Sequence, residues 1–167
     1  MNICFLDLDG VLNSQIYYMS DRFKKGDSNS MLEYYLNQID PVAIGFLNNF
    51  VEETDCKIVL SSTWRHTAFE DRVLYHAGFK GDVIDVTPSL RGTGIVRGNE
   101  ILRWIEDNKE LLGYYHSDYK SYVIFDDDSD MLLWQKDNFF QTDPYSGLTF
   151  NTTYRATRFL ETIKNRE

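Results

Sequence analysis

The reading of the fold starts from Met1-Asn2-Ile3-Cys4-Phe5-Leu6-Asp7-Leu8-Asp9-Gly10-Val11-Leu12. Four apolar residues form a short run that delivers two carboxylates at alternate positions and then breaks at a glycine. In a strand, residues two apart lie on the same side, so Asp7 and Asp9 leave the strand end together. Two acids so placed suit a hard cation or a reacting phosphoryl group.

Three further apolar runs follow the same plan. Lys57 to Leu60 ends in Ser61-Ser62-Thr63-Trp64-Arg65, Asp82 to Val86 ends in Thr87-Pro88, and Tyr122 to Phe125 ends in Asp126-Asp127-Asp128-Ser129-Asp130. Helical patterns lie between and after them. Asp40-Pro41 opens one as N-cap and first-turn proline, with Val42, Ile44, Phe46, Leu47 and Phe50 as its stripe. Another runs from about Ala68 to Ala77 and is closed by Gly78. A third follows the loop Arg91 to Gly98, and the last begins near Asn151. Met131 to Trp134 reads as a helical turn, and Phe139 to Thr142 as an edge strand.

Short strands alternating with amphipathic helices predict an α/β, Rossmann-like parallel sheet with helices on both faces. The 167 residues, 43% of them hydrophobic, suffice for one domain with its own core, 1–167. The stretch 13–40 has no clean period, and its apolar residues flank the polar tip Lys24 to Ser30. It is expected to be a small flap, hairpin-like, over the first strand end.

Composition narrows the function classes. Lys and Arg number 17 against 26 Asp and Glu, a net charge of -9, which disfavours binding along a nucleic-acid groove. Cys4 and Cys56 each adjoin an apolar run and are expected as buried free thiols. No apolar run approaches the roughly 18 residues of a membrane span, so a soluble, cytoplasmic protein is expected. No obligate protein partner is implied. His66, His76 and His116 share no spacing that suggests zinc.

In parallel sheets, ligands bind outside the carboxyl ends of the strands. Acids gathered there repel one another unless a cation sits among them, and oxygen-only ligands favour Mg2+. The candidate ligands are Asp7, Asp9, Asp126, Asp127 and Asp130. An acidic loop without a metal, or a calcium-type loop, is the plain alternative for Asp126 to Asp130. Asp7 can attack phosphorus as a nucleophile, while Asp9 protonates the leaving oxygen and later activates water. Ser61, with Ser62 as its rival, and Arg97 would hold phosphate oxygens. Lys80 and Arg91 compete with Arg97, whose alternative is pairing with Glu100 or Glu106. Tyr17 and Tyr18 can stack on a base or simply pack the flap.

These residues resemble the haloacid dehalogenase (HAD) superfamily of phosphotransferases. The D-x-D-G-x-hydrophobic motif is matched by Asp7 to Leu12, the strand ending in Ser or Thr by Ile58 to Ser61, the basic helix start by Arg97, and the paired-acid strand end by Phe125 to Asp130. Within that superfamily, Ser61 to Arg65, Arg97-Gly98-Asn99-Glu100-Ile101 and Gln141 to Pro144 are similar to the HAD domains of RNA-repair proteins. They are similar as well to the phosphatase domain of polynucleotide kinase-phosphatase, where an Arg after the second motif contacts phosphate; Arg65 is its counterpart here. The resemblance implies an Mg2+-dependent phosphatase with only a minimal cap. An open site of that kind suits a nucleic-acid end, a nucleotide or a phosphoprotein. A binding module without turnover, a metabolite phosphatase and a phosphotransferase are the other readings.

Overall fold

The computed structural model describes residues 1–23, 30–66, 70–90, 94–113 and 120–165. Strands β1 (Ile3–Leu6), β2 (Lys57–Leu60), β3 (Val83–Val86) and β4 (Tyr122–Phe125) form a sheet of order β3-β2-β1-β4. All pairings are parallel, with Ile3 beside both Lys57 and Tyr122 and Leu6 beside both Leu60 and Phe125. The chain therefore builds outward from β1 to β3 and then returns to the other side of β1. That reversal opens a crevice at the carboxyl ends of β1 and β4.

Alternation along the strands sorts the core into two layers. Cys4, Leu6, Ile58, Leu60, Val123 and Phe125 face α3 (Pro41–Thr54), α4 (Glu70–His76) and α7 (Phe150–Lys164). Ile3, Phe5, Val59, Tyr122 and Ile124 face α5 (Arg97–Asp107) and α6 (Lys109–Leu112). Every residue of β1 is fully buried, because helices cover both faces of the sheet. Asp40 caps α3 as expected, its carboxylate accepting the Val42 N–H at 2.9 Å with Pro41 at the first turn. Cys4 and Cys56 are buried and free, and burial pushes both thiols up, that of Cys56 to about 12. No helix among the described residues is long and apolar enough to cross a membrane.

Two elements differ from the sequence reading. The flap carries two short helices, α1 (Gln15–Met19) and α2 (Met31–Leu36), instead of hairpin strands. Ser14 and Ser30 account for the difference: each hydroxyl accepts an N–H three residues on, from Tyr17 and Glu33, and so starts a helix. The tip 24–29 lies outside the described residues. The segment at Phe139 makes a single parallel bridge to Ile124 instead of a strand. It nonetheless lines the outer edge of β4, with Ile124 N–H to Asn138 O at 2.9 Å, Phe140 N–H to Ile124 O at 2.9 Å and Thr142 N–H to Asp126 O at 3.0 Å. The helical turn expected at Met131 to Trp134 is a 3-10 turn over Leu133–Gln135.

The flap is tied down at both ends. The Tyr17 hydroxyl donates to Asn37 O at 3.0 Å, and Arg22 bridges to Asp40 at 2.8 Å while lying over the Tyr17 ring. Tyr35, Leu32 and Leu36 of α2 pack against the larger core layer.

Candidate active site

The crevice at the carboxyl ends of β1 and β4 gathers three carboxylates. Asp7 follows β1, where its N–H donates to Phe125 O at 2.9 Å, and Asp126 and Asp127 follow β4. One oxygen from each lies within 4.8 Å of the others. Asp7 and Asp126 are buried, at 6% and 1% exposure. Burial pushes Asp7 up to about 6 and Asp126 up to about 8, with Asp7 adding to the rise at Asp126 by like charge. Asp127 is raised as well, by burial and then by Asp128.

One oxygen of Asp126 accepts the Asp128 N–H at 2.9 Å, whereas Oδ2 is buried with no hydrogen-bond partner. A buried carboxylate oxygen without a hydrogen bond, grouped with two more carboxylates and beyond hydrogen-bond reach of its one ion-pair partner at 3.5 Å, is costly unless a second cation joins it. The three residues thus fit a hard, oxygen-seeking divalent ion such as Mg2+.

Among the described residues, Arg97, at the first position of α5, is the basic group that pairs with this cluster. Its Nη2 lies 3.8 Å from Asp7 Oδ1 and its Nε 3.5 Å from Asp126 Oδ2. It is positioned from two sides. Asp130 accepts the Arg97 N–H at 2.8 Å, and Gly98 allows the helix start to press on Leu132, since a Cβ there would fall 2.5 Å from the Leu132 nitrogen.

Behind Arg97 stands Glu100, buried to 7% exposure. It accepts two bonds from Arg65 Nη2, at 2.9 and 2.8 Å, and the Leu90 N–H at 3.0 Å, and it lies 3.7 Å from Arg97 Nη1. Arg65 also donates to Thr87 Oγ1 at 3.1 Å. Loops after β2 and β3 are thereby tied to the start of α5. Arg97 makes the Glu100 pairing foreseen for it and faces the acids at the same time.

Asp9 has a different setting. It is exposed, with Trp64 Nε1 donating to Oδ2 at 2.9 Å and Asn13 Nδ2 to Oδ1 at 2.8 Å. Asn13 in turn accepts the Gly10 N–H at 2.8 Å, closing the loop after β1. Ser62 works against the rise of the Asp7 carboxyl and accepts the Trp64 N–H at 3.4 Å, while the Ser61 hydroxyl lies 3.5 Å from Thr87 Oγ1.

The structure therefore brings together Asp7, Asp126, Asp127, Arg97 and Ser62. Asp9 and Asp130, expected among the metal ligands, stand outside the three-carboxylate group: Asp9 is held by Trp64 and Asn13, and Asp130 caps α5. Arg65, expected at the phosphate, has its outer nitrogens committed to Glu100 and Thr87. Tyr17, expected at the substrate, is 3% exposed with its hydroxyl engaged by the backbone. Of the basic competitors, Lys80 is exposed and Arg91 lies outside the described residues, as does His116.

Trp64, Asn13 and Thr87 are contributors that pattern reading passed over, as is the bond of Glu100 to Arg65. Asn13 had a local signal, being an amide three residues after a glycine turn. The roles of Trp64 and Thr87 come from long-range packing and left no mark in spacing.

Gly10 makes the cluster possible. Its φ is +68°, and a Cβ there would lie 2.4 Å from Asp127 Cγ. Gly10→Ala is expected to push Asp127 out of the group and weaken the binding of a divalent cation by about tenfold or more, comparable to the loss of a ligand's supporting contact. A metal titration of the variant checks this.

Over residues 3–152 the chain matches the family model described as the HAD domain in Swiss Army Knife RNA repair proteins. No curated protein and no solved structure matches it.

Proposed function

The chain belongs to the family of HAD domains in Swiss Army Knife RNA repair proteins, and on that premise we propose that it is an Mg2+-dependent phosphatase acting on a nucleic-acid end or a nucleotide. The observation that carries the proposal is the buried Oδ2 of Asp126, which has no hydrogen bond and only the Arg97 Nε at 3.5 Å beside it, in a group with Asp7 and Asp127 whose ligand atoms lie within 4.8 Å of one another. A site of three acids and one arginine suits a dianionic phosphate delivered beside a divalent ion.

In this reading Asp7, Asp126 and Asp127 hold Mg2+, which when bound supplies positive charge against the phosphate oxygens. Asp7 attacks phosphorus and forms an aspartyl-phosphate as the bond to the leaving oxygen breaks. Asp9 gives that oxygen its proton, then takes one from the water that attacks the phosphorus and frees Asp7 and inorganic phosphate. Arg97 faces the growing charge on the phosphoryl oxygens, and Ser62 orients the Asp7 carboxylate. Trp64 and Asn13 fix the rotamer of Asp9 so that its proton meets the leaving oxygen. The described residues act as one domain, with the flap residues 13–23 and 30–40 as cover.

The test is phosphate release across 3'- and 5'-phosphorylated oligonucleotides, mononucleotides, sugar phosphates and phosphopeptides, in a series of Mg2+ concentrations. Turnover on the nucleic-acid or nucleotide members that a chelator abolishes is expected. Tight binding of a phosphorylated member with no release at any Mg2+ concentration would favour a binding module instead. Fastest release from phosphopeptides would move the substrate to phosphoproteins.

A further inference from the structure

Asp9 marks where the leaving group must be, because the group that protonates the leaving oxygen touches it. The wall beyond Asp9 is aromatic. Trp64, whose indole N–H holds Asp9, packs on Tyr35 of α2 with ring centroids 4.7 Å apart, and Tyr34 meets Tyr35 edge-on at 5.4 Å. Tyr18 of α1 belongs to the same flap, edge-on to Phe23 at 5.0 Å with its hydroxyl donating to Gln38 Oε1 at 3.4 Å, and burial and then the Asp9 carboxylate raise its phenol to about 12. Tyr34 is 52% exposed, so its ring is spent on no core contact.

We infer that Tyr18, Tyr34 and Tyr35 with Trp64 form the leaving-group subsite and that it accepts a nucleoside, the base stacking on the exposed face of Tyr34. This rests on the phosphatase reading and names the substrate class for the same site. Three features select a nucleoside over other phosphate esters. The rings form a string that leads away from Asp9, so a planar group meets Tyr34 only if a spacer such as a sugar separates it from the leaving oxygen. A general acid at Asp9 serves an alkoxide leaving group such as a sugar hydroxyl, since a phenolate departs with far less help. Among the described residues of the flap, the only cation is Arg22, whose charge is paired with Asp40. Recognition by a stacked ring needs no such charge, which reconciles a nucleic-acid substrate with a net charge of -9.

The test compares kcat/KM for 3'- and 5'-mononucleotides, short oligonucleotides with the same terminal phosphates, ribose 5-phosphate and a phosphotyrosine peptide. Both base-bearing classes are expected to exceed ribose 5-phosphate by about tenfold or more, the contribution of one stacked base. Which of the two is greater tells a free nucleotide from a chain end. Tyr34→Ala is expected to lower the ratio of nucleotide to ribose 5-phosphate by about tenfold, and Tyr34→Phe to keep it. A ratio near one in the wild type, a ratio that Tyr34→Ala leaves unmoved, or a preference for phosphotyrosine would overturn the inference. Release of phosphate from none of the substrates would instead overturn the phosphatase reading beneath it.

Discussion

Asp7→Asn is expected to lower phosphate release by at least about 10³-fold on every substrate, since an amide cannot form the covalent bond to phosphorus. The same substitution is expected to stabilise the protein in chelator. Asp7 and Asp126 have folded values of about 6 and about 8 against an ordinary 3.8. Below pH 4 both are protonated whether the chain is folded or not, and no charge opposes folding. As pH rises toward 8 the unfolded chain ionises freely, whereas the folded chain must ionise acids that burial and mutual repulsion disfavour. Without metal, stability therefore falls from about pH 4 to pH 8. If the folded cluster binds Mg2+ as proposed, adding the ion is expected to reverse the loss.

Asp7→Asn removes one member of the repulsion, so its melting temperature at pH 8 in chelator should exceed that of the wild type by several degrees. At this chain length each kcal/mol is about 2–4 °C. A variant that loses activity and stability together would indicate that Asp7 holds the fold together instead of acting in chemistry.

Glu100→Ala is expected to have the largest effect on stability, about 3–5 kcal/mol, because it leaves the Arg65 guanidinium buried without its partner. The Arg65 side chain is 7% exposed in a pair whose two oxygens are 2.9 and 2.8 Å from one nitrogen. The Leu90 N–H loses its acceptor as well. Urea unfolding of the variant should show the loss as a lower midpoint at an unchanged slope.

The double variant Arg65→Met/Glu100→Leu removes both charges and should recover most of the stability, since apolar pairs of similar volume replace buried ion pairs at little cost. Activity should not recover with it. Arg97 would keep its place beside Asp130 but lose the carboxylate that balances its other end, and kcat is expected to stay at least about tenfold low. Recovery of full activity in the double variant would show that the brace serves the fold alone.

The parts of this molecule that repeat a local rule were readable in advance. Four runs of apolar residues, each ended by a polar cluster, gave the four strands and their parallel order of use. Asp40-Pro41 marked the start of α3 because a cap and a fixed φ act within one turn. The acids after β1 and β4 could be assigned to one site because a parallel sheet brings its carboxyl ends together.

What stayed hidden depends on competition or on distance. The flap residues 15–19 and 31–36 lack a strong period, and two serine caps decided for helix over strand. Arg65 could be singled out as basic and near the second motif, but only the fold shows Glu100, 35 residues later, taking its Nη2 and Thr87 its Nη1. The division among Asp7, Asp9 and Asp130 has the same origin. Spacing puts all of them near the strand ends, while Trp64, Asn13 and the Arg97 N–H determine which of them leave the cluster.

The most direct measurement of the central claim is borohydride trapping during turnover on a nucleotide with Mg2+, followed by peptide mass spectrometry. Reduction of an acyl phosphate converts the aspartate that carries it to homoserine. Homoserine at position 7, absent when Mg2+ is chelated, is the predicted result. Homoserine at another aspartate, or steady phosphate release with no reduced residue at all, would contradict Asp7 as the nucleophile.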